Sequence, residues 1–333
     1  MRKTRYFDIF MQLTRRHLMV FYKNKVRLMY TLLVPVIIFA VYLLFLRGLE
    51  LSMVANTLTD YNITRLTVGE EAFSELNRRI GTLVDSWMLS GIIGLSTVTV
   101  ALQTNTVIVE DKQNGVNRDF ASSPIHRNLL IASYFFYNFI VSALICLVFF
   151  FICLVYLAAA GEFVLSFGSI LLALVVMFFA TVASTLMTVF ICSFVKSEGT
   201  MMSIVAIFST AVGFLIGAYM PLGMMPVWVQ GICTFIPGTY ACSLLRYAFL
   251  SAPLAGLTEF AGTLNIDEGT MSAMLDALSA NFGYDLSFFG VTVNPQFQSL
   301  ALSVFILIFV ALNIGVGKKV AEVLGIGKKK KKK

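Results

Sequence analysis

Ionisable side chains are scarce in this sequence. Asp, Glu, Lys and Arg supply 13% of its 333 residues, about half of the ~25% found in an average soluble domain. Only two histidines occur, against thirty phenylalanines and fifteen methionines. So little charge cannot cover a water-facing globule of this length, which argues against a soluble enzyme and against a disordered chain. The charges sum to +7. On so apolar a background, with a mean hydropathy of +0.84, that excess does not suit a nucleic-acid binder. The five cysteines sit in apolar surroundings and do not read as a secreted disulfide framework. Cys146 and Cys153, with no His or carboxylate nearby, read as small buried side chains, not metal ligands.

Nucleotide-binding and catalytic signatures are missing too. There is no Gly-x-x-x-x-Gly-Lys-Ser/Thr phosphate loop, Gly-x-Ser-x-Gly elbow, His-Glu-x-x-His or Cys-x-x-Cys. No metal, bound cofactor or enzymatic role is therefore expected of this chain. The N-terminal segment carries charge throughout and lacks the apolar core and small-residue site of a cleavable signal.

What the sequence has is long apolar runs. Six are long enough to cross ~30 Å of hydrocarbon as helices: Leu28–Leu46, Trp87–Val109, Leu129–Leu157, Leu165–Val195, Met201–Met220 and Phe297–Val316. They are continuously apolar, not alternating, and only a helix satisfies its own backbone in lipid. An all-α polytopic membrane protein is expected. Twenty of the twenty-five Lys and Arg fall on one side of this six-span arrangement. By the positive-inside rule, both termini lie in the cytoplasm of a multi-pass cell-membrane protein. The terminal run Lys328 to Lys333 is not needed for that assignment. Residues 1–27 carry Tyr6, Ile9, Phe10, Leu13, His17, Val20 and Phe21 at helical spacing among basic residues. They read as an amphipathic interfacial helix or as a basic flank that sets topology.

Segments 47–86 and 251–296 are expected outside as small polar caps, the second with a helix from Asp267 to Leu278. Residues 28–320 form one transmembrane unit, and 321–333 a basic tail. The cytoplasmic loop at 110–127 mixes Glu110, Asp111 and Asp119 with Lys112, Arg118 and Arg127, and has a break at Gly115 and an aromatic at Phe120. It reads equally as a docking knob and as a solvated loop. Residues 220–250 are too apolar for an ordinary loop, and Pro221, Pro226 and Pro237 forbid one helix. Two half-helices that dip into the membrane fit best, backed by protein or a water-filled cavity. Arg246 follows, either snorkelling to headgroups or standing at the mouth of a path. Span two carries Thr97, Gln103, Thr104 and Asn105, which line a cavity or bond between helices. Gly213 and Gly217 form a small-xxx-small pair that packs within the chain or against a second copy.

These features together resemble the membrane subunit of a type-2 ATP-binding-cassette exporter. The order Glu110, Gly115, Pro124 before the third span is similar to that family's loop, although Val116 replaces the usual Thr. Pro221, Pro226, Trp228, Pro237, Tyr240 and Arg246 follow the family's proline-rich stretch, Pro-x-x-Tyr and Arg. The resemblance implies a paired permease, with the same or a paralogous second chain, docked on a cytoplasmic ATPase that binds ATP and Mg. It implies that residues 110–124 couple to that ATPase and that the re-entrant segment is the outer gate. Pro35, Gly213 and Gly217 would then lie near the dimer interface, and an amphipathic drug, lipid, peptide or lipid-linked glycan would be exported. The rival classes are a membrane-embedded lipid-processing enzyme and a secondary carrier. These would favour clustered or intramembrane ionisable groups, which the spans almost lack.

Overall fold

The computed structural model describes residues 2–123, 125–160, 164–264 and 266–323. Pro124 and the basic tail from 324 onward lie outside them. Helix α1 (Arg2–Lys23) is amphipathic. It buries Leu13, Thr14, His17 and Phe21 and leaves Phe7, Met11 and Tyr22 exposed. Asn24 ends it, and its side chain accepts from the Arg27 N–H, which starts α2 (Lys25–Val41). A π turn at Tyr42–Leu46 leads into α3 (Arg47–Asp60) without a break. The wider turn leaves Tyr42 and Arg47 on one side, where both donate to Asp85.

A turn containing the short α4 (Arg65–Val68) closes at Gly69, with φ +87°. Helix α5 (Glu70–Thr104) follows and bends at Asn105 into α6 (Thr106–Gln113). The outer segment 47–86 is thus not a separate cap, because spans one and two run on as helices through most of it. No proline intervenes there, and Glu and Arg are good helix formers. The chain reverses only where Asn62 and Gly69 adopt positive φ.

Helix α7 (Val116–Ser122) begins after Gly115, at φ +77°. Helices α8 (Arg127–Ala159), α9 (Phe167–Phe194) and α10 (Glu198–Leu215) follow, the last two N-capped by Ser166 and Ser197. A 3-10 turn at Leu222–Met224 precedes α11 (Val227–Cys233) and α12 (Pro237–Ala261), with Pro226 and Pro237 at their starts. Helix α12 continues well past the expected end of the proline-rich segment. Asp267 N-caps α13 (Glu268–Asn281), which buries Met271, Met274 and Leu278. Strands β1 (Leu286–Phe288) and β2 (Val291–Val293) pair antiparallel, with Ser287 opposite Thr292. This small hairpin departs from a purely helical chain. Helix α14 (Pro295–Val323) ends the described residues.

Among the described residues, six helical segments are long and apolar enough to cross a membrane. The rod made of α5 and α6 is the axis of the bundle, and its most apolar window is wholly buried. It packs on α12, α8, α9 and α2. Gly94 lets α12 approach, because a Cβ there would stand 3.2 Å from Cys242. By contrast α2, α10 and α14 each bury only 17% of their windows. All five cysteines are buried and unpaired.

Candidate functional site

The end of the bundle that carries α1, α6 and α7 is held by a knot of polar bonds. Asp111, almost fully buried, accepts both Arg16 guanidinium N–H groups at 2.6 and 2.7 Å and the Tyr134 hydroxyl at 2.6 Å. Bidentate geometry makes this a strong pair and raises the Arg16 pKa further. His17 stacks on Tyr134 at 4.1 Å and bonds Ser133 through Nε2 and Arg16 through Nδ1. Since Arg16 donates to Nδ1, the hydrogen-bond network assigns the ring proton to Nε2. Burial pushes the His17 pKa down to about 4, with Arg16 adding to the shift and Asp111 opposing it. Glu110 pairs with Arg27 at 2.5 Å. Lys112 donates to the carbonyls of Cys192, Ser193 and Val195 at 2.7 to 3.0 Å, closing the C-terminal end of α9. Gln113 Oε1 accepts the Glu198 N–H at 2.7 Å, at the start of α10.

The loop therefore divides in the direction its side chains take. Glu110, Asp111 and Lys112 turn inward and tie α6 to α1, α2 and α9. Past Gly115, Arg118 and Asp119 are exposed on α7, and Phe120 is half-buried beneath the Arg16 guanidinium at 5.5 Å. Among the described residues of that second half, the charged side chains stand in the open.

A groove of about 610 Å³ opens between α2 and α10 at the same end. Val26, Tyr30, Val34 and Met202 form an apolar side, and Arg27, Gln103, Thr106, Glu110 and Glu198 a polar one. Among the expected lining residues, Gln103 reaches this groove, whereas Thr97, Thr104 and Asn105 are fully buried. Thr97 donates to the Gly94 carbonyl, the Thr104 carbonyl accepts from Tyr137, and Asn105 donates to Thr188 at 2.7 Å. These three bind helix to helix or backbone inside the bundle.

At the opposite end, α11 is joined to α12 by a short turn. Tyr240 donates to the Thr234 carbonyl at 3.0 Å, closing the turn. Trp228 is exposed on α11. Arg246, only 4% exposed, does not snorkel. It donates to the carbonyls of Gly217 and Ala218, just past α10, and lies 5.1 Å from the Trp87 ring centroid. It also lines a pocket of about 440 Å³ together with Pro221, Asp276 and Asp285.

The small-residue pair is used within the chain. A Cβ on Gly213 would run into the Tyr219 ring, and Gly217 stands at φ +74° in the turn that ends α10. Both are buried, and so is Pro35, while Leu33, Val36 and Ile37 beside it are exposed. Sequence reading missed two features here. In the sequence His17 reads only as one position of an apolar stripe between basic residues, and Asp85 falls within the expected outer segment 47–86. Asp85 is buried under Tyr42 and Arg47. Its one sequence signal is its place two residues before Trp87, where the second apolar run begins.

The sequence signature described as ABC-2 type transporter matches residues 9–250. None of the curated proteins compared with the chain matches it significantly.

Proposed function

Because this chain belongs to the ABC-2 type transporter family, we propose that it is the permease subunit of an ATP-driven exporter. It moves an amphipathic substrate out of the cytoplasm or the inner leaflet of the cell membrane. The end with α1, α6 and α7 faces the cytoplasm, and the α11–α12 hairpin, α13 and the β-hairpin face outside. The observation that carries this reading is the uncovered pair α2 and α10. Each leaves most of its apolar window exposed, although both pack on the buried α5. A second permease chain, identical or paralogous, covers those faces and closes the groove into a shared path.

A cytoplasmic ATPase subunit that binds ATP and Mg docks on α7 through Arg118 and Asp119. Closure of the ATPase pair pushes α7, and the bonds from Lys112 to α9 and from Gln113 to α10 carry the push into the spans. At the far end the hairpin that starts at Pro226 and Pro237 acts as the gate, with Arg246 holding the end of α10 against α12.

Charge reversal tests the docking. The full chain is purified from its native membranes together with its ATPase, and ATP hydrolysis is measured. The double change Arg118→Glu and Asp119→Arg is expected to abolish co-purifying ATPase while insertion stays normal. Undiminished ATPase in that variant would refute docking on α7.

A further inference from the structure

We propose that the groove between α2 and α10 selects amphiphilic cations. This rests on the permease reading and deepens it by naming the charge of the cargo. A volume of about 610 Å³ falls within the ~300–1,000 Å³ of small-molecule sites. One side is apolar, built by Val26, Tyr30, Val34 and Met202, and three of these four are exposed side chains. That side suits a hydrocarbon or aromatic body, and the Tyr30 ring offers its face to a cation.

The polar end decides the sign. Three ionised side chains line the groove: Arg27, Glu110 and Glu198. Arg27 and Glu110 neutralise one another at 2.5 Å. Glu198 opens α10, and its backbone N–H is occupied by Gln113. Among the described residues no cation pairs with its carboxylate. The lining therefore carries a net charge of one carboxylate, at the start of α10, whose helix dipole offsets part of it, beside a low-dielectric wall where Coulomb attraction is stronger than in bulk water. An entering cation meets Glu198. An entering anion meets the same carboxylate and a guanidinium that is already neutralised. The feature favouring an anion is Arg27 Nη1, which is buried and has no hydrogen-bond partner. It suits a neutral acceptor oxygen, but it adds no net positive charge.

Two probes of nearly equal shape and opposite charge separate these outcomes: tetraphenylphosphonium and tetraphenylborate. Binding is measured on the full chain in phosphatidylcholine nanodiscs, with empty nanodiscs subtracted. The phosphonium is expected to bind at least about tenfold tighter than the borate. Glu198→Gln should weaken phosphonium binding about tenfold, and Met202→Trp, which fills the groove, should remove it. Combining Glu110→Gln with Glu198→Gln leaves Arg27 alone and should reverse the preference toward the borate. Equal or tighter borate binding by the natural chain, an unchanged Glu198→Gln variant, or no binding of either probe would each overturn cation selection. The ATPase docking test reads independently. Retained docking without charge preference would sink this inference and leave the permease reading standing.

Discussion

His17 shows what tertiary structure adds to a residue. In sequence it is one position in an apolar stripe; in the fold it is a buried neutral imidazole between Asp111, Ser133 and Tyr134. Its pKa falls from 6.5 to about 4. The unfolded chain takes up a proton below about 6.5 that the folded chain refuses, so stability is full above that pH and declines as pH falls toward 4. Thermal unfolding of the purified protein should drop between pH 7 and pH 5 by more than in His17→Gln; parallel profiles would remove His17 from that dependence. Lys112 works through geometry. Lys112→Met strands three carbonyls at the end of α9 and should cost about 1–3 kcal/mol, read as a lowered unfolding temperature. At Gly213 an added methyl strikes Tyr219. Gly213→Ala should lose about 1–3 kcal/mol through overpacking, and adding Tyr219→Ala should restore part of it. If the second change gives no recovery, that contact is not the cause.

At the scale of elements, the informative unit is α6 with its neighbours. One eight-residue helix contacts α1, α2, α9 and α10 through side chains that in sequence belong to one loop, readable equally as a docking knob and as a solvated loop. Charge composition could not divide that loop, because Glu110, Asp111 and Lys112 are as hydrophilic as Arg118 and Asp119. The break at Gly115 was legible, since a glycine between charged segments marks a turn. Which side of it faced inward depended on residues far away in the chain, Arg16 and the carbonyls of α9. Removing the Asp111 anchor tests this. In Asp111→Leu, α1 should lift from the bundle, so that a cysteine placed at the buried Leu13 becomes reactive to a water-soluble thiol reagent. Continued protection of Leu13Cys would show that apolar packing alone holds α1. The natural cysteines are all buried, so background labelling should be low.

Across the whole molecule, burial is uneven, and that unevenness has consequences. The chain wraps its polar-rich second span completely and leaves the first, fifth and sixth largely bare. Bare apolar faces are satisfied by lipid or by another protein, and a pair of cysteines distinguishes these. Ile37→Cys and Ile207→Cys, both at exposed positions, should cross-link between chains if α2 and α10 form a permease pair. Monomer alone under oxidising conditions would leave those faces to lipid. Orientation is read in the same preparation. Cysteines at Asp60 and Asp276 should react from outside intact cells, and reaction only after permeabilisation would invert the topology.

Sequence by itself determined the number, approximate place and helical nature of the membrane segments, because lipid admits only a narrow class of backbone and demands long apolar runs. It also determined where the outer helix starts, at Asp267, since capping is local chemistry. The ends of α3, α5 and α12 were not legible, because polar residues that tolerate a helix look the same as residues of a loop. Tertiary structure alone decided the partners of the scarce charges. Arg16 with Asp111, Arg27 with Glu110, Arg47 with Asp85 and Arg246 with the end of α10 all join distant parts of the chain. In a low-dielectric bundle a buried charge must find a partner, and which partner it finds is set by helix packing that no local pattern encodes.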